Sequence, residues 1–150
     1  MGALSAQRAI RVLEGRDLSL TLFAVSTPVI GKQADDLLAE DVEPYRVLAP
    51  RLPMVMVAHA VYPKLESALA VEGKLPEIHV PASLSPRIVR GLLREHLGFT
   101  GLIVSDDLEM GGALKGRNIA DAAVAALKAG CDMLLVCRHR EYVEFVFDTI

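Results

Sequence analysis

The feature that most constrains the fold of this chain is a series of short, unbroken apolar runs separated by segments with helical spacing. The runs span Pro53–Ala58, Gly101–Ser105 and Met133–Cys137. A strand that is buried on both faces has this composition, which is typical of parallel sheets. A further strand is expected over Leu18–Val25. Only about four strands are therefore available.

Apolar residues at helical spacing predict that the segments between the strands are helices. Ser85–Pro86 begins one of these helices, with the hydroxyl at the N-cap and proline at N1, and Gly98 ends it. Pro44 predicts a kink or break in another. Residues 59–84 contain three prolines and no clear periodicity, so they are interpreted as a long functional connection. The expected helices are residues 3–14, Gln33–Leu48, Ser85–Leu97, Ile119–Lys128 and Glu141–Thr149.

The repeated order of buried strand, loop and helix predicts an α/β fold with parallel strands. Two architectures share this order, the (β/α)₈ barrel and the doubly wound sheet. The doubly wound sheet usually has a glycine-rich phosphate turn after its first strand, and none is present. A closed barrel of this kind needs eight strands. We therefore expect an open, curved parallel sheet with helices on its outer face and an exposed apolar inner face.

Composition excludes several classes of protein. The net charge of −3 over 150 residues offers no basic patch for nucleic acid or an anionic membrane. No apolar stretch is long enough to span a bilayer, and Met1–Gly15 lacks the apolar core of a signal peptide. A cytoplasmic location is the expectation. Cys131 and Cys137 are interpreted as two small buried thiols, because a strand would hold them too far apart to pair.

Polar residues follow two of the apolar runs directly: His59 after the first, and Asp106 with Asp107 after the second. The carboxyl ends of parallel strands share one edge, where barrel enzymes carry their chemistry. A carboxylate there can act as a nucleophile or bind a metal ion. In the alternative interpretation, Asp107 caps a helical turn and Asp106 is simply solvated. His59 is expected to line the site, the alternative being a hydrogen-bonded loop histidine.

The remaining histidines have no predicted role. His79 lies in the long connection, His96 in a helix and His139 near a helix start. No group of His, Cys and Asp residues has the spacing of zinc ligands, so no metal and no cofactor are expected.

Residues 92–110, Leu-Leu-Arg-Glu-His-Leu-Gly-Phe-Thr-Gly-Leu-Ile-Val-Ser-Asp-Asp-Leu-Glu-Met, resemble the active-site signature of family 3 glycoside hydrolases. The segments 57–63, 81–85 and 125–133 resemble three further motifs of that family. The resemblance covers about residues 34–150. It implies that residues 1–150 form a single partial domain, roughly the C-terminal half of a (β/α)₈ TIM-type barrel.

The resemblance also implies an activity. The aspartate directly after the serine is the family's catalytic nucleophile, which carries over to Asp106. The ending Asp-Asp-Leu-Glu-Met resembles the corresponding segment of the β-N-acetylhexosaminidase branch of that family. The implied reaction is retaining hydrolysis of a terminal β-linked N-acetylhexosamine, with His59 binding the sugar. The implied partner is a small carbohydrate, an N-acetylglucosaminide, and exposed sheet edges could allow self-association.

Two family segments are absent. The Lys-His-Phe-Pro-Gly-His-Gly motif and the Asp-Ser-His triplet of the general acid/base should lie between Gly15 and Pro28. Asp17 is the one residue in this stretch that is similar to the missing segments, and no role is assigned to it. A catalytically dead remnant, or a half-barrel that needs a partner chain, is therefore the alternative, and a β-glucosidase relative is a further one. A response-regulator-like domain that uses Asp106 and Asp107 for Mg²⁺ is disfavoured, since its acidic pair would come earlier in the chain.

Overall fold

The computed structural model describes residues 28–70 and 79–150. The expected helix 3–14, the expected strand Leu18–Val25 and Asp17 lie outside the described residues. In chain order the strands and longer helices are α1, built from the contiguous helical stretches Ala34–Asp36, Leu37–Val42 and Glu43–Leu48; β1, Met54–Val57; α2, Pro63–Ala68; α3, Arg87–His96, which has π geometry; β2, Leu102–Asp107; α4, Gly111–Leu114; α5, Ile119–Ala129; β3, Met133–Leu135; and α6, Arg140–Phe147. Short 3₁₀ turns span Ala49–Arg51 and Ala82–Leu84.

The described strands form one parallel sheet in the order β1-β2-β3. Met54 pairs with Leu102, and Val104 pairs with Met133. Strand order therefore follows chain order without the reversal that defines a doubly wound sheet. This is the arrangement of consecutive strands in a (β/α)₈ barrel, and the sheet is not closed. The prediction of a partial barrel with parallel strands is confirmed.

One face of the sheet is covered by helices. Val57 and Ile103 lie on this face, and Ile103 is fully buried. Helix α5 presents a row of alanines that allow its backbone to approach closely, while α3 contributes larger apolar side chains. The fully buried helix residues in this layer are Val89, Ala122, Ala123, Ala126 and Ala129. The side chain of Asn118 caps α5 by accepting a hydrogen bond from the Asp121 N–H at 2.8 Å.

The opposite face of the sheet is apolar and open. Met54, Met56, Leu102 and Met133 point to this face, because side chains alternate along a strand and register partners share a side. Their exposed fractions lie between 42% and 56%. Residues of similar type inside a protein are usually among the most buried. The expected exposure of the surface that corresponds to a barrel interior is confirmed for these four residues, whereas Val104, which lies between them on β2, is 3% exposed.

Some boundaries differ from the sequence-based expectations. Helix α1 continues through Pro44, because the stretch before it widens into π geometry where proline removes a backbone donor. The long connection after β1 contains the short helix α2, which begins at Pro63. Strand β3 ends at Leu135, so Cys137 lies beyond the strand and is exposed. The prediction that both thiols are buried was therefore wrong for Cys137.

None of the helices in the described parts of the chain is long and apolar enough to cross a membrane. The cytoplasmic location stays a prediction.

Candidate active site

The candidate site lies at the carboxyl edge of the sheet. His59 follows β1, Asp106 and Asp107 end β2, and His139 follows β3. Because all three strands run in the same direction, these residues share one edge. A hydrogen bond across this edge joins His59 to the backbone of Asp107. The sequence-based placement of His59 and Asp106 on one rim is thus observed, while their roles stay predictions.

Asp106 is half-buried and belongs to the open face of the sheet. It lies two and four residues after Val104 and Leu102, so strand alternation puts its side chain on their side. Its Oδ1 accepts a hydrogen bond from the Asp107 N–H at 2.8 Å. Among the described residues nothing donates to its Oδ2. One carboxylate oxygen is therefore anchored, and the other is left for a ligand.

Asp107 has a different function in the structure, because its polar groups are used within the chain. Its Oδ1 accepts from the Glu109 N–H at 3.1 Å, which closes a tight turn after the strand. Its carbonyl oxygen accepts from the Met110 N–H at 3.0 Å and from His59. Of the two adjacent acids, Asp107 stabilises the turn through its side chain, whereas Asp106 precedes the turn and keeps one carboxylate oxygen without a donor among the described residues.

His59 is buried, with 4% of its surface exposed. Its Nε2 lies 2.9 Å from the carbonyl oxygen of Asp107 and its Nδ1 lies 2.6 Å from the hydroxyl oxygen of Ser83. A carbonyl oxygen can only accept, so Nε2 must carry the proton. In the neutral ring Nδ1 then accepts from the Ser83 hydroxyl. Both ring nitrogens thus have protein partners.

Glu109 and His139 form a contact that sequence reasoning missed. The Glu109 side chain is 4% exposed and hydrogen-bonds the Nδ1 of His139, whose own side chain is 53% exposed. The other Glu109 oxygen accepts from the Arg138 N–H at 2.5 Å, which fixes the loop before α6. The two residues are 30 positions apart. No local pattern could therefore have signalled the pair.

The charges at this edge and their hydrogen bonds change two pKa values. Desolvation raises the pKa of Glu109, but the hydrogen bonds from Arg138 and His139 outweigh it, so the net pKa is lowered. Burial raises the pKa of the Cys137 thiol, and the negative charges of Asp107, Glu109 and Asp106 raise it further. The loop after β3 therefore lies within electrostatic range of Asp106.

The other candidates do not join this group. His79 is exposed in the connection before the Ala82–Leu84 turn, and His96 is exposed at the end of α3. Over residues 28–70 and 79–150, no group of three or more His, Cys, Asp or Glu side chains is arranged to hold a metal ion.

Comparison with known proteins gives consistent results. The family model described as the glycosyl hydrolase family 3 N-terminal domain matches residues 19–150. A β-hexosaminidase of Bordetella avium (strain 197N) is 38% identical over 124 residues, which are 82% of this chain and 32% of that protein. A β-hexosaminidase of Idiomarina loihiensis is 36% identical over 124 residues, or 83% of this chain and 34% of that protein. The chain spans about a third of the length of these curated relatives.

Two solved structures share the fold at appreciable identity. A family 3 β-N-acetylglucosaminidase from Paenibacillus sp. str. FPU-7 has a TM-score of 0.70 and 31% identity, over 82% of this chain and 22% of that one. NagZ from Neisseria gonorrhoeae has a TM-score of 0.65 and 34% identity, over 85% of this chain and 32% of that one.

Proposed function

This chain belongs to glycoside hydrolase family 3, and from that premise we propose that Asp106 is the nucleophile of a retaining glycosidase acting on terminal β-linked N-acetylglucosaminides. The observation that carries the proposal is the state of the Asp106 carboxylate. One oxygen is held by the Asp107 N–H at 2.8 Å, while the other receives no hydrogen bond from the described residues. A nucleophile needs this combination of a fixed orientation and a free lone pair.

The reaction follows in two displacements. The free oxygen of Asp106 attacks the anomeric carbon, and the glycosidic C–O bond breaks with its electron pair leaving on the aglycone oxygen. The product is an ester between the sugar and Asp106. Water then attacks the same carbon, the bond from that carbon to the Asp106 oxygen breaks, and Asp106 is released as the carboxylate while the proton lost by the water passes through solvent to the aglycone anion. Two inversions at one carbon give net retention.

The substrate class rests on the relatives. Two of them, at 36–38% identity, are named β-hexosaminidase, and a solved structure with 31% identity is named β-N-acetylglucosaminidase. The turn that follows Asp106 is compatible with other β-glycosides, because its hydrogen bonds orient the proposed nucleophile and do not recognise the acetamido group. An aryl β-glucoside is therefore the appropriate comparison substrate.

The leaving-group oxygen must be protonated when it is a poor leaving group. The family's acid/base segment is missing between Gly15 and Pro28. The chain alone should therefore react with activated aryl glycosides and turn over natural glycosides negligibly. The alternative function, favoured by that missing segment and by the open inner face, is a non-catalytic half-barrel that binds sugar or assembles with a partner, including a second copy of itself.

The test is a burst experiment on an aryl β-N-acetylglucosaminide with a good leaving group, with the sugar ester detected by intact mass spectrometry. Asp106→Asn should abolish both the burst and the ester, because an amide is a far poorer nucleophile than a carboxylate. Asp107→Asn is the matched control, since its amide oxygen can still accept the Glu109 N–H and close the turn.

Each outcome separates the alternatives. A burst that survives Asp106→Asn, or that both substitutions remove equally, would contradict the assignment of the nucleophile. No burst in the folded wild-type chain would favour the remnant. Rapid turnover of a natural glycoside would show that another residue supplies the acid.

A further inference from the structure

We propose that His59 is a positioning residue that fixes the orientation of Asp106 through the backbone of Asp107, rather than a ligand of the sugar. The inference rests on the proposed role of Asp106. Its basis is the chain of contacts Ser83–His59–Asp107–Asp106, in which each member restricts the next.

The ring of His59 has no nitrogen left for a substrate. Nε2–H donates to the Asp107 carbonyl at 2.9 Å, and Nδ1 is engaged by the Ser83 hydroxyl at 2.6 Å. The ring is also 4% exposed, and Ser83 is fully buried. A sugar hydroxyl could reach this imidazole only after one of two buried hydrogen bonds had broken, which leaves an unsatisfied polar group.

The backbone on either side of Asp107 is what the histidine controls. The N–H of Asp107 holds Oδ1 of Asp106, and the carbonyl of Asp107 is held by His59 and by the Met110 N–H. The N–H and the carbonyl of Asp107 belong to neighbouring peptide groups joined at its Cα, so release of the carbonyl loosens the Cα and lets the N–H shift relative to the carboxylate. His59 therefore sets the direction in which the free oxygen of Asp106 points.

The histidine is itself held by the core side of the protein. Ser83 lies in the 3₁₀ turn Ala82–Leu84, and its N–H donates to the Ala58 carbonyl at 3.2 Å. The thiol of Cys131 reaches the Ser83 carbonyl at 3.5 Å. The turn thus contacts both the residue after β1 and a residue just before β3. A side chain fixed from this side is suited to orienting a neighbour.

Replacement of His59 tests the proposal. His59→Phe keeps a ring but removes the donor, whereas His59→Gln can present an amide N–H near the position of Nε2. On the activated aryl N-acetylglucosaminide, we expect His59→Phe to lower the rate constant of ester formation about 10- to 100-fold, as a misplaced reacting group does. The substrate concentration that gives half the maximal burst rate should stay within about twofold of wild type. His59→Gln should recover most of the rate, and His96→Phe, on the exposed end of α3, is the matched control.

A second measurement does not depend on turnover. Nitrogen chemical shifts of the His59 ring should report the Nε2–H tautomer. The Met110 N–H, which donates a hydrogen bond to the Asp107 carbonyl, should exchange with solvent faster in His59→Phe than in wild type. If His59→Phe fails to fold, Ser83→Ala is used instead. This substitution keeps the Nε2–H donor of His59 but removes the partner of its Nδ1. A smaller loss of rate is then expected.

The results have distinct meanings. A raised half-saturating concentration with an unchanged rate constant would make His59 a sugar ligand and overturn the proposal, as would the Nδ1–H tautomer. If the wild-type chain forms no ester, the proposed nucleophile fails. The tautomer and exchange measurements then still decide whether His59 holds the turn.

Discussion

Truncation of Met56 to alanine measures whether the inner face of the sheet is open. Met56 is 56% exposed, so less than half of the surface of the residue is buried. Full burial of a methionine contributes about 1.5–3 kcal/mol, so the lost burial should cost about 1 kcal/mol. No cavity is added, because solvent already reaches the site. The reference substitution is Ile103→Ala on the covered face, where the residue is fully buried and the cost should be about 2–5 kcal/mol.

The measurement is equilibrium unfolding in urea, followed by far-ultraviolet circular dichroism at several protein concentrations. We expect Met56→Ala to shift the midpoint much less than Ile103→Ala, with similar slopes for both. Equal costs would refute the reasoning, since they would mean that Met56 is packed against something. A cost that grows with protein concentration would identify that cover as a second copy of the chain, because association makes apparent stability depend on concentration.

Three further predictions follow from single contacts. A Cβ added at Gly101 would lie 2.6 Å from an aromatic carbon and from a carbonyl oxygen, so Gly101→Ala should destabilise the chain by about 1–3 kcal/mol in the same unfolding assay. Gly91→Ala, with its nearest such atom at 4.0 Å inside α3, should instead be neutral or stabilising. The pKa of Glu109 is lowered in the folded chain, so the carboxylate stabilises the fold above its unfolded pKa of about 4.3, and this contribution is lost as pH falls through the folded pKa. The difference in free energy of unfolding between wild type and Glu109→Gln should therefore shrink in acid. A difference that stays constant with pH would contradict this. A disulfide reagent should titrate the exposed Cys137 in the folded chain, more slowly than a free cysteine because its pKa is also raised. Cys131 should react only after unfolding, because burial raises its pKa to about 11, and simultaneous reaction of both thiols would contradict the burial.

The amino-acid sequence determined the fold class and the edge of the sheet at which the candidate site lies. Short unbroken apolar runs bounded by turn residues are typical of strands that are buried on both faces, so they predict a parallel sheet. In such a sheet the residue after each run lies at one common edge. That rule predicts that His59 and Asp106 share an edge, and the hydrogen bond from His59 to the neighbouring Asp107 lies at that edge.

The tertiary structure decided how the polar residues at this edge divide their tasks. Asp106 and Asp107 are adjacent and chemically identical, yet the fold uses one in the turn and leaves the other with a free oxygen. The partners that make the difference lie far away in sequence: Ser83 is 24 positions from His59, and His59 is 48 positions from Asp107. Local periodicity carries no information about contacts over such separations. They arise only when strands and turns have packed, and the same packing decided that Met56 faces solvent while Ile103 is enclosed.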